Sequence, residues 1–507
     1  MTDLKRLQNG SDIRGIAITD EGFEANLEQE QAQRIAKGLI KWLKNTKHVT
    51  HSPIKVAIGQ DSRLSGDAIK NGLIQALLTE DVHVIDTGLS TTPAMFMATQ
   101  FTEFDADAGV MITASHLPYY YNGIKIFTKD GGAEHEDIEI ILENAPETVD
   151  LTKNQGTLEQ KEVISAYAQD LVEKIQKETN ADKPLTGFKI VLDAGNGAGG
   201  FFAEKVLEAL GADTTGSQFL DPDGHFPNHI PNPDNKEAME SIKQAVLAQQ
   251  ADLGVIFDTD VDRAAVVDKT GEVINRNNLI AVLSHIVLEE YPGATIVTNS
   301  PTSSHLKTFI ESLNGKQVRY LCGYRNVINK GIELNKQGID VPLSIETSGH
   351  AAFKENYFLD DGAYVVAKIL MLLPKLKENN QELSDLIANL KQPVETQEIR
   401  FKISGDDYRV SGESVIAAMH DFVTKTDGFT IDMDNEEGIR VNVSGKFGDG
   451  WFLLRMSLHE PLLVLQVEND ELRKNNVVLN TLFDFFASFS FLNTDKMKMA
   501  IDEFNSI

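Results

Sequence analysis

The chain has 507 residues, enough for about three to four domains of typical size. It carries 47 basic and 76 acidic side chains, and this net charge of −29 disfavours nucleic acids and anionic membranes as partners. Its one cysteine, Cys322, excludes an intrachain disulfide and favours a reducing compartment. The N-terminus lacks the apolar segment of a signal peptide, and the apolar run at 369–373 is too short to span a bilayer. These features predict a soluble, cytoplasmic protein, in which any anionic substrate must be bound by a local cluster of Lys and Arg.

The same order of predicted elements, a strand, a polar loop, a helix and a further strand, recurs along most of the chain. A helix at 27–43 comes first. The first copy consists of strand 54–59, loop 60–63, helix 68–79 and strand 82–85. The second consists of strand 188–192, a Gly-rich loop at 193–197 and helix 200–210, and the third of strand 294–298, loop 299–303, helix 304–313 and strand 317–321. This alternation predicts α/β layers with mixed, mostly parallel sheets.

The composition changes after Pro393. Alternation at 395–403, helical patterns at 413–423 and 475–489, and strands at 438–443 and 451–456 indicate an α+β domain with a separate antiparallel sheet. Polar or helix-terminating stretches supply the boundaries between domains. The predicted domains are 1–155, 156–269, 270–392 and 393–507.

The stretch 106–127 contains the first polar loop that could carry chemistry. An apolar run at 109–112 predicts a buried strand, and Pro118 restricts the backbone just beyond it, so Ser115 falls in a tight loop at a strand end. Open α/β sheets bind ligands at such positions. Ser115 is therefore a candidate phosphoryl carrier, whose hydroxyl needs a base or a metal for activation. The alternative is an ordinary turn serine with His116 as a loop histidine.

Asp258, Asp260 and Asp262 alternate along the loop that follows a second apolar strand. Alternate carboxylates of a curled loop can converge, and hard oxygen ligands suit Mg²⁺. An EF-hand calcium loop does not fit, because its sixth position is Arg263 instead of Gly and its twelfth is Lys269 instead of Glu. The alternative is a solvated acidic turn. Arg263 either contacts a phosphoryl group or balances the charge of the carboxylates.

Two later loops have the composition of a sugar-phosphate site. Residues 346–350 supply a carboxylate, hydroxyls and an imidazole, which suit vicinal sugar hydroxyls, although a simple polar turn is the alternative. Residues 455–461 supply a guanidinium, a hydroxyl and an imidazole, which can hold a phosphate that is not transferred. The alternative there is a strand-end ion pair between Arg455 and Glu460. Residues 323–326 form a weaker cationic loop. Residues 358–362 are expected to cap the next helix, and the alternative is that they shape the wall near the loop 346–350.

These four loops, in this order, resemble the active-site loops of the α-D-phosphohexomutase superfamily, and the resemblance covers nearly the whole chain. Residues 113–118 resemble its phosphoserine loop and 258–263 its magnesium loop. Residues 346–350 resemble its sugar loop in the phosphomannomutase/phosphoglucomutase and phosphoglucosamine mutase members, and 455–461 its phosphate loop. The runs 12–15 and 122–125 also match. The departures indicate a divergent subgroup: they are Thr259 and Val261 where glycines are common, Tyr324 where His is frequent, and His459 where Thr is usual.

The resemblance implies three related α/β domains with mixed, mostly parallel sheets and a C-terminal α+β domain, arranged around a central cleft. It implies phosphoryl transfer between C1 and C6 of a glucose or mannose phosphate through phosphorylated Ser115 and a hexose 1,6-bisphosphate intermediate. The bisphosphate is the expected activator. One Mg²⁺ per chain is expected, and the protein is expected to be a monomer or homodimer.

The resemblance also implies a role for each residue of the site. Catalytic roles are expected for Ser115, His116, Lys125 and Arg263. The expected metal ligands are Ser115, Asp258, Asp260 and Asp262. Contacts with the substrate are expected from Arg14, Arg325, Glu346, Ser348, His350, Arg455, Ser457 and His459.

Several other functions remain open on the sequence alone. Within the mutases, phosphoglucosamine mutase is an alternative. A hexose 1,6-bisphosphate synthase would release the intermediate, and a phosphatase with a serine nucleophile would release inorganic phosphate. Outside the enzymes, a sugar-phosphate-binding regulator without catalysis is the alternative, although the retained Ser115, aspartates and Lys125 oppose it.

Overall fold

The computed structural model describes residues 3–20, 22–405, 407–458 and 460–506, with the side chains of 504–506 left out. The chain divides into two compact units, one formed by Met1–Leu283 with Ser348–Leu386 and the other by Ser284–Thr347 with Ile387–Ile507. None of the described helices has both the length and the apolar character needed to cross a bilayer.

The first repeat, in the first unit, is built on an eight-stranded mixed sheet of order β1-β2-β6-β5-β3-β4-β8, with β7 paired to β6. Its strands are β1 Gln8–Asn9, β2 Asp12–Ile16, β3 Ile54–Gln60, β4 Val82–Leu89, β5 Ala108–Ile112, β6 Tyr121–Thr128, β7 Gly131–Gly132 and β8 Thr157–Gln160. Its helices are the 3₁₀ turn Leu4–Leu7, α1 Gln29–Asn45, α2 Gly66–Leu77, α3 Thr92–Met97 and α4 His135–Glu143. The strand β3 pairs in parallel with β4 and β5, whereas β6 returns antiparallel to β5.

Local sequence explains the long helix α1. Glu28 and Gln31 form a capping box at its start, in which Gln31 Oε1 accepts a hydrogen bond of 3.0 Å from the Glu28 amide. Ile35, Leu39 and Leu43 recur at helical spacing and are buried in the core of the first repeat. Polar side chains on the opposite face keep the helix at the surface of the unit.

The second repeat, also in the first unit, has a four-stranded sheet of order β12-β11-β10-β9. Its elements are α5 Ile164–Thr179, β9 Ile190–Asp193, a π-helical turn Ala203–Glu208, α6 Lys236–Gln249, β10 Leu253–Phe257, β11 Ala264–Asp268 and β12 Val273–Ile274. As in the first repeat, a buried strand, β10, has a parallel neighbour, β9, and an antiparallel one, β11, into which it turns. Both predicted chemical loops of this unit therefore follow a buried strand and precede an antiparallel one.

The third repeat begins with helix α7 Arg276–Glu290, which crosses from the first unit into the second. The second unit then contains β13 Thr295–Asn299, α8 Ser304–Ser312, β14 Lys316–Tyr320, α9 Tyr324–Lys336 and β15 Leu343–Ile345. The strand β13 pairs in parallel with both β14 and β15. The chain returns to the first unit with β16 Ala351–Phe353, the 3₁₀ turn Lys354–Asn356, β17 Leu359–Asp360 and α10 Gly362–Glu378.

The C-terminal part of the second unit confirms the predicted α+β domain. Its five-stranded antiparallel sheet has the order β18-β22-β21-β20-β19. The 3₁₀ turn Leu383–Ile387 ends the return segment of the first unit and enters the second. The elements that follow are β18 Glu395–Lys402, α11 Tyr408–Thr424, β19 Phe429–Ile431, β20 Ile439–Val443, the 3₁₀ turn Gly445–Phe447, β21 Gly450–Met456, β22 Leu462–Asn469, α12 Lys474–Ala487 and α13 Asp495–Ser506. The sequence pattern did not predict β19, β22 or α13.

Two local predictions differ in outcome. The expected cationic loop at 323–326 is wrong, because Gly323, with a φ of 110°, is the N-cap of α9 and Arg325 lies in the first turn of that helix. The expected cap at 358–362 is confirmed: the side chain of Asp361 accepts a hydrogen bond from the amide of Tyr364. The predicted domain boundaries remain a prediction.

Asp361 is expected to contribute strongly to stability. Its buried carboxylate accepts hydrogen bonds from the Tyr364 amide at 2.9 Å, the Tyr167 hydroxyl at 2.6 Å and the Asn356 amide at 3.1 Å. Asp361→Ala should lower the free energy of unfolding by about 2–4 kcal/mol, because the helix loses its cap and two buried donors lose their acceptor. Denaturant unfolding measures the change. Asp421→Ala, at an exposed position of α11, is the matched control and should change it by less than about 0.5 kcal/mol.

The same carboxyl group makes stability depend on pH. Burial raises the pKa of Asp361 to about 6, although its hydrogen bonds from Tyr167 and Tyr364 oppose the shift. Because the folded state holds this proton more tightly than the unfolded chain, the Asp361 contribution to the free energy of unfolding should fall as pH rises from about 4 to about 6. Asp361→Asn should therefore gain stability relative to the wild type as pH rises. A constant difference between the two proteins across that range would contradict this assignment.

Candidate active site

Ser115 lies in the turn between β5 and β6. It is buried and has a φ of 51°, a left-handed conformation that is uncommon for a residue with a side chain. Its amide donates a hydrogen bond of 2.9 Å to Thr113 Oγ1, and its hydroxyl donates one of 3.0 Å to Asp258 Oδ2. The turn therefore directs the serine hydroxyl at the acidic loop of the second repeat, 143 residues further along the chain.

Asp258, Asp260 and Asp262 occupy the turn between β10 and β11. All three side chains are fully buried, and the three offer carboxylate oxygens that lie within 4.8 Å of one another. Val261 has a φ of 66°, which curls the loop and lets alternate side chains converge. Burial, together with the charges of Asp262 and Asp260, raises the pKa of Asp258 well above its usual range.

The acidic cluster fits a hard divalent cation. Asp260 Oδ1 and Asp262 Oδ1 are buried and have no hydrogen-bond partner within the described part of the chain. Leaving such atoms unpaired is costly, and an ion removes that cost. With the Ser115 hydroxyl beside Asp258, the donor set consists entirely of oxygen atoms, as Mg²⁺ prefers.

Two cations reach this cluster from different repeats. Lys125, on β6, places Nζ 2.5 Å from Asp262 Oδ2 and 3.4 Å from Asp260 Oδ2. Arg263 places Nε 3.2 Å from Asp258 Oδ2 and donates through Nη2 to Ser115 Oγ at 3.3 Å. Both side chains are buried. Lys125 therefore pairs with the carboxylates, while Arg263 connects them to the serine hydroxyl.

His116 is neutral in this environment. Burial and the charge of Arg263 lower the pKa of His116 to about 2. Its Nδ1 accepts a hydrogen bond of 2.6 Å from Arg263 Nη2, so the ring proton lies on Nε2. The same Nδ1 is 3.4 Å from Ser115 Oγ. The imidazole thus orients the Arg263 guanidinium next to the serine.

His350 is placed against the acidic loop. Its Nδ1 is 2.5 Å from Asp360 Oδ2 and 3.9 Å from Asp262 Oδ1. Burial opposes protonation, but Asp360 and Asp262 raise the pKa of His350 to about 9. The ring therefore carries a positive charge that Asp360 orients and that partly balances Asp262. Ser348, two residues earlier, is half-buried in the same unit.

Arg14, on β2, is the remaining candidate of the first unit. It donates to Asp12 Oδ2 at 3.1 Å and to the carbonyl of Ala114 at 3.4 Å, which places it beside the Ser115 turn. The first unit thus contains all seven residues predicted for catalysis and metal binding, together with Arg14 and His350. The seven are Ser115, His116, Lys125, Asp258, Asp260, Asp262 and Arg263.

The other candidates lie in the second unit. Glu346 is buried and accepts a hydrogen bond of 2.7 Å from the Gly323 amide. Arg455 Nε is 3.9 Å from Glu437 Oε2, and the Arg455 guanidinium donates to the carbonyl of Met456 at 3.1 Å. Burial opposes protonation, but nearby Glu437 and Glu346 help to raise the pKa of Arg455. Glu346 is therefore close enough to Arg455 for its charge to favour the protonated guanidinium.

The contacts of the second unit also settle an alternative. Glu460 is 3.4 Å from Arg400, and Arg455 has Glu437 as its partner, so the strand-end pair between Arg455 and Glu460 is wrong. Ser457 Oγ accepts from the Glu460 amide at 3.3 Å.

Two further candidates of this unit complete the set. His459 lies outside the described residues. Arg325 donates to Asn329 at 3.3 Å within α9.

Some residues of the cluster escaped the sequence analysis. The Thr92 hydroxyl donates to Asp260 Oδ2, and the Thr92 amide donates to the Asp260 carbonyl at 2.9 Å. Asp360 binds His350, and Arg63 binds the Ser115 turn. Arg63 and Asp360 lie in the predicted polar loop 60–63 and the predicted helix cap 358–362, whose sequences indicate no catalytic role. Thr92 had no signal beyond a Thr-Pro pair that begins a short helix.

Fold and site together define a class: layered α/β proteins in which a serine hydroxyl faces a buried acidic loop whose oxygen atoms fit a metal ion, an arrangement suited to phosphoryl transfer. Models of the phosphoglucomutase/phosphomannomutase α/β/α domains I, II and III match residues 5–152, 165–271 and 275–394. The chain belongs to the phosphoglucomutase/phosphomannomutase family and is a phosphohexomutase.

Individual relatives agree with this family. The chain is 32% identical over 458 residues to the phosphomannomutase/phosphoglucomutase of Pseudomonas syringae pv. tomato, with 90% of each chain covered. It is 32% identical to a phosphoglucomutase of Neisseria gonorrhoeae, covering 82% of this chain and 85% of that one. A phosphoglucomutase/phosphomannomutase family protein from Burkholderia thailandensis has a similar structure, with a TM-score of 0.76, 27% identity, and coverage of 94% and 97%.

Mg²⁺ should stabilise the folded protein, because it satisfies the unpaired oxygens of Asp260 and Asp262. Adding Mg²⁺ should raise the Tm, and Asp260→Asn should reduce that rise because it weakens the oxygen donor set. Differential scanning calorimetry at several Mg²⁺ concentrations measures both effects independently of activity. Asp421→Asn, at an exposed site on α11, should keep the full rise. An equal rise in Asp260→Asn and the wild type would refute the proposed ligand.

Proposed function

We propose that this phosphohexomutase moves a phosphoryl group between C1 and C6 of a hexose phosphate through phosphorylated Ser115. The observation that supports this most directly is the position of Ser115 Oγ, 3.0 Å from Asp258 Oδ2 and 3.3 Å from Arg263 Nη2. A serine hydroxyl beside both a cation-binding carboxylate and a guanidinium has the groups that phosphoryl transfer needs on either side.

The charged groups of the first unit act on the transferring group. Asp258, Asp260, Asp262 and Ser115 would hold Mg²⁺, which when bound neutralises charge on a phosphoryl oxygen. Arg263, already within hydrogen-bond distance of Ser115 Oγ, donates to the oxygens of the group in transit. His116 keeps that guanidinium in place through Nδ1.

Proton transfer is assigned to Lys125. The substrate hydroxyl must lose a proton when it attacks the phosphorylated serine, and it must regain one in the reverse step. Lys125 Nζ lies next to Asp262 and Asp260, at the same cluster as Ser115. His350, held in its charged form by Asp360, balances Asp262 and is also a proposed substrate contact.

The remaining contacts hold the sugar and the phosphate that is not transferred. We assign sugar hydroxyls to Glu346 and Ser348, and the spectator phosphate to Arg455, Ser457 and His459. Arg14 and Arg325 complete the cationic set. The hexose 1,6-bisphosphate intermediate must turn around before Ser115 recovers a phosphate, so these groups have to accept two orientations of one ligand.

The proposal also covers the substrates, the metal, the activator, the cellular location and the assembly. Glucose and mannose phosphates are the proposed substrates, one Mg²⁺ per chain the proposed metal, and hexose 1,6-bisphosphate the proposed activator. We place the protein in the cytoplasm as a monomer or homodimer with four domains, 1–155, 156–269, 270–392 and 393–507. The acidic net charge is consistent with a small anionic substrate bound only by this local set of cations.

Replacing Ser115 tests the proposal directly. Intact-mass measurement of the wild type after incubation with glucose 1,6-bisphosphate should show one added phosphate, and Ser115→Ala should show none. Mutase activity of the variant should fall by about a thousandfold or more, because the phosphoryl carrier is gone. The matched control, Ser414→Ala at an exposed position of α11, should keep both properties. Substantial activity in Ser115→Ala would refute the proposal.

The same assay distinguishes the alternatives. Glucose 1-phosphate, mannose 1-phosphate and glucosamine 1-phosphate are tested side by side, with the bisphosphate and inorganic phosphate followed as products. Conversion of a 1-phosphate to its 6-phosphate without either product identifies a mutase. Accumulated bisphosphate indicates the synthase, and released inorganic phosphate indicates a phosphatase.

A further inference from the structure

A buried guanidinium binds the turn that carries Ser115. Arg63 follows β3 in the loop 60–63, and its side chain is fully buried. Its Nη1 donates to the carbonyls of Pro118 at 2.8 Å and Tyr121 at 3.0 Å. Its Nη2 donates to the carbonyls of Ser115 at 2.5 Å and Leu117 at 2.6 Å. One side chain therefore collects four carbonyl oxygens of a single turn.

This arrangement follows from the shape of the turn. Two tight backbone hydrogen bonds, from Leu117 to Ala114 at 3.2 Å and from Tyr121 to Pro118 at 3.0 Å, fold the segment on itself. Folding it this way turns several carbonyls toward one point, where one group with several donors can bind them all. The planar guanidinium offers five donors in a fixed fork, which suits such a group of acceptors.

A second link holds Ser115 from its other side. Thr113 Oγ1 accepts from the Ser115 amide at 2.9 Å and donates to Asp61 Oδ2 at 2.6 Å. Asp61 in turn lies 3.3 Å from Arg63 Nε and accepts from the Arg63 amide at 2.9 Å. Asp61 and Arg63 therefore hold Ser115 together: Arg63 binds its carbonyl directly, and Asp61 binds its amide through Thr113.

The other repeats use the corresponding loop in the same way. After β9, the Ala198 amide donates to the carbonyl of Thr259 at 2.8 Å, inside the acidic loop. Gly197 lies so close that a Cβ there would stand 2.6 Å from that carbonyl oxygen. After β13, Asn299 donates to Thr347 Oγ1 at 3.1 Å and accepts from the Thr347 amide at 3.0 Å. The loops after β3, β9 and β13 therefore contact the Ser115 turn, the acidic loop and the loop 346–350, respectively.

We propose that Arg63 is a positioning residue for phosphoryl transfer, which holds the turn 113–121 so that Ser115 Oγ stays beside Asp258. This assignment rests on the proposed role of Ser115 as the phosphoryl carrier. Arg63 does not touch the reacting atoms. It acts by preventing the turn from relaxing out of the left-handed conformation of Ser115, and a displacement of about 1 Å of a reacting group can cost about a hundredfold in rate.

The test is Arg63→Lys in the full-length protein. A lysine keeps the charge but has a single nitrogen, which cannot bind four carbonyls spread over the turn. We expect kcat with glucose 1-phosphate to fall about 10- to 100-fold while KM changes less than about threefold, because substrate contacts remain. The single-turnover rate of phosphate loss from phosphorylated Ser115 should fall by the same factor as kcat.

The control is Arg34→Lys in the same repeat. Arg34 is also buried, and its Nε donates to the carbonyl of Pro146 at 2.8 Å, outside the Ser115 turn. It should lose thermal stability comparably but keep kcat. A folded Arg63→Lys protein with wild-type kcat, or one that loses activity only in proportion to its folded fraction, overturns the proposal.

Thr113→Val decides the case if Arg63→Lys does not fold. It removes the hydroxyl that joins Asp61 to the Ser115 amide and leaves Arg63 in place. A fall in kcat of about tenfold or more at unchanged KM supports the proposal, and an unchanged kcat overturns it. The wild type must gain one phosphate on Ser115 from glucose 1,6-bisphosphate. Failure of that step refutes the proposed function itself, whereas failure of the variants alone refutes only the role of Arg63.

Discussion

Compensation of buried negative charge is the constraint on which the first unit depends. Its acidic loop places three carboxylates entirely out of water, which is unfavourable unless cations and hydrogen bonds accompany them. The compensating cations are Lys125, Arg263 and His350. Arg263 directly follows Asp262 in the chain, whereas Lys125 and His350 come from elements that are remote in sequence. Since Lys125 belongs to the first repeat, Arg263 to the second and His350 to the returning segment of the third, the charge cluster also joins the three parts of the unit.

This compensation leaves two carboxylate oxygens without a hydrogen-bond partner, and these oxygens are available to a cation. Lys125 and Thr92 bind the Oδ2 atoms of the acidic loop, while Oδ1 of Asp260 and of Asp262 have no hydrogen-bond partner in the described chain. A fully paired cluster would be more stable but could not bind a cation. The cluster therefore retains local instability at the two oxygens to which we assign the metal ion, and rigid neighbours hold the loop in place.

The departures from the superfamily pattern have a local explanation. Val261, at a position where glycine is common in the family, adopts a φ of 66°. A branched side chain is strained in that conformation, and contacts with the surrounding core must retain it. Its neighbour Thr259 is held through its carbonyl by Ala198. The acidic loop thus adopts a left-handed conformation at Val261 although no glycine is present. The three carboxylates still converge despite these departures.

The sequence by itself determined the repeated α/β units, the antiparallel C-terminal sheet and the identity of the serine and acidic loops. Apolar strands followed by polar loops are local patterns, and the carboxylates of Asp258 and Asp262 lie close in the chain. Only the tertiary structure decided that Arg63 binds the Ser115 turn and that His350 pairs with Asp360 beside Asp262. It also showed that Arg325 lies in a helix and not in the expected loop. These contacts join residues that lie between 10 and 88 positions apart, and the helical position of Arg325 depends on the cap at Gly323. Hydrophobic periodicity reports which face of an element is buried, but not which distant polar group meets it there.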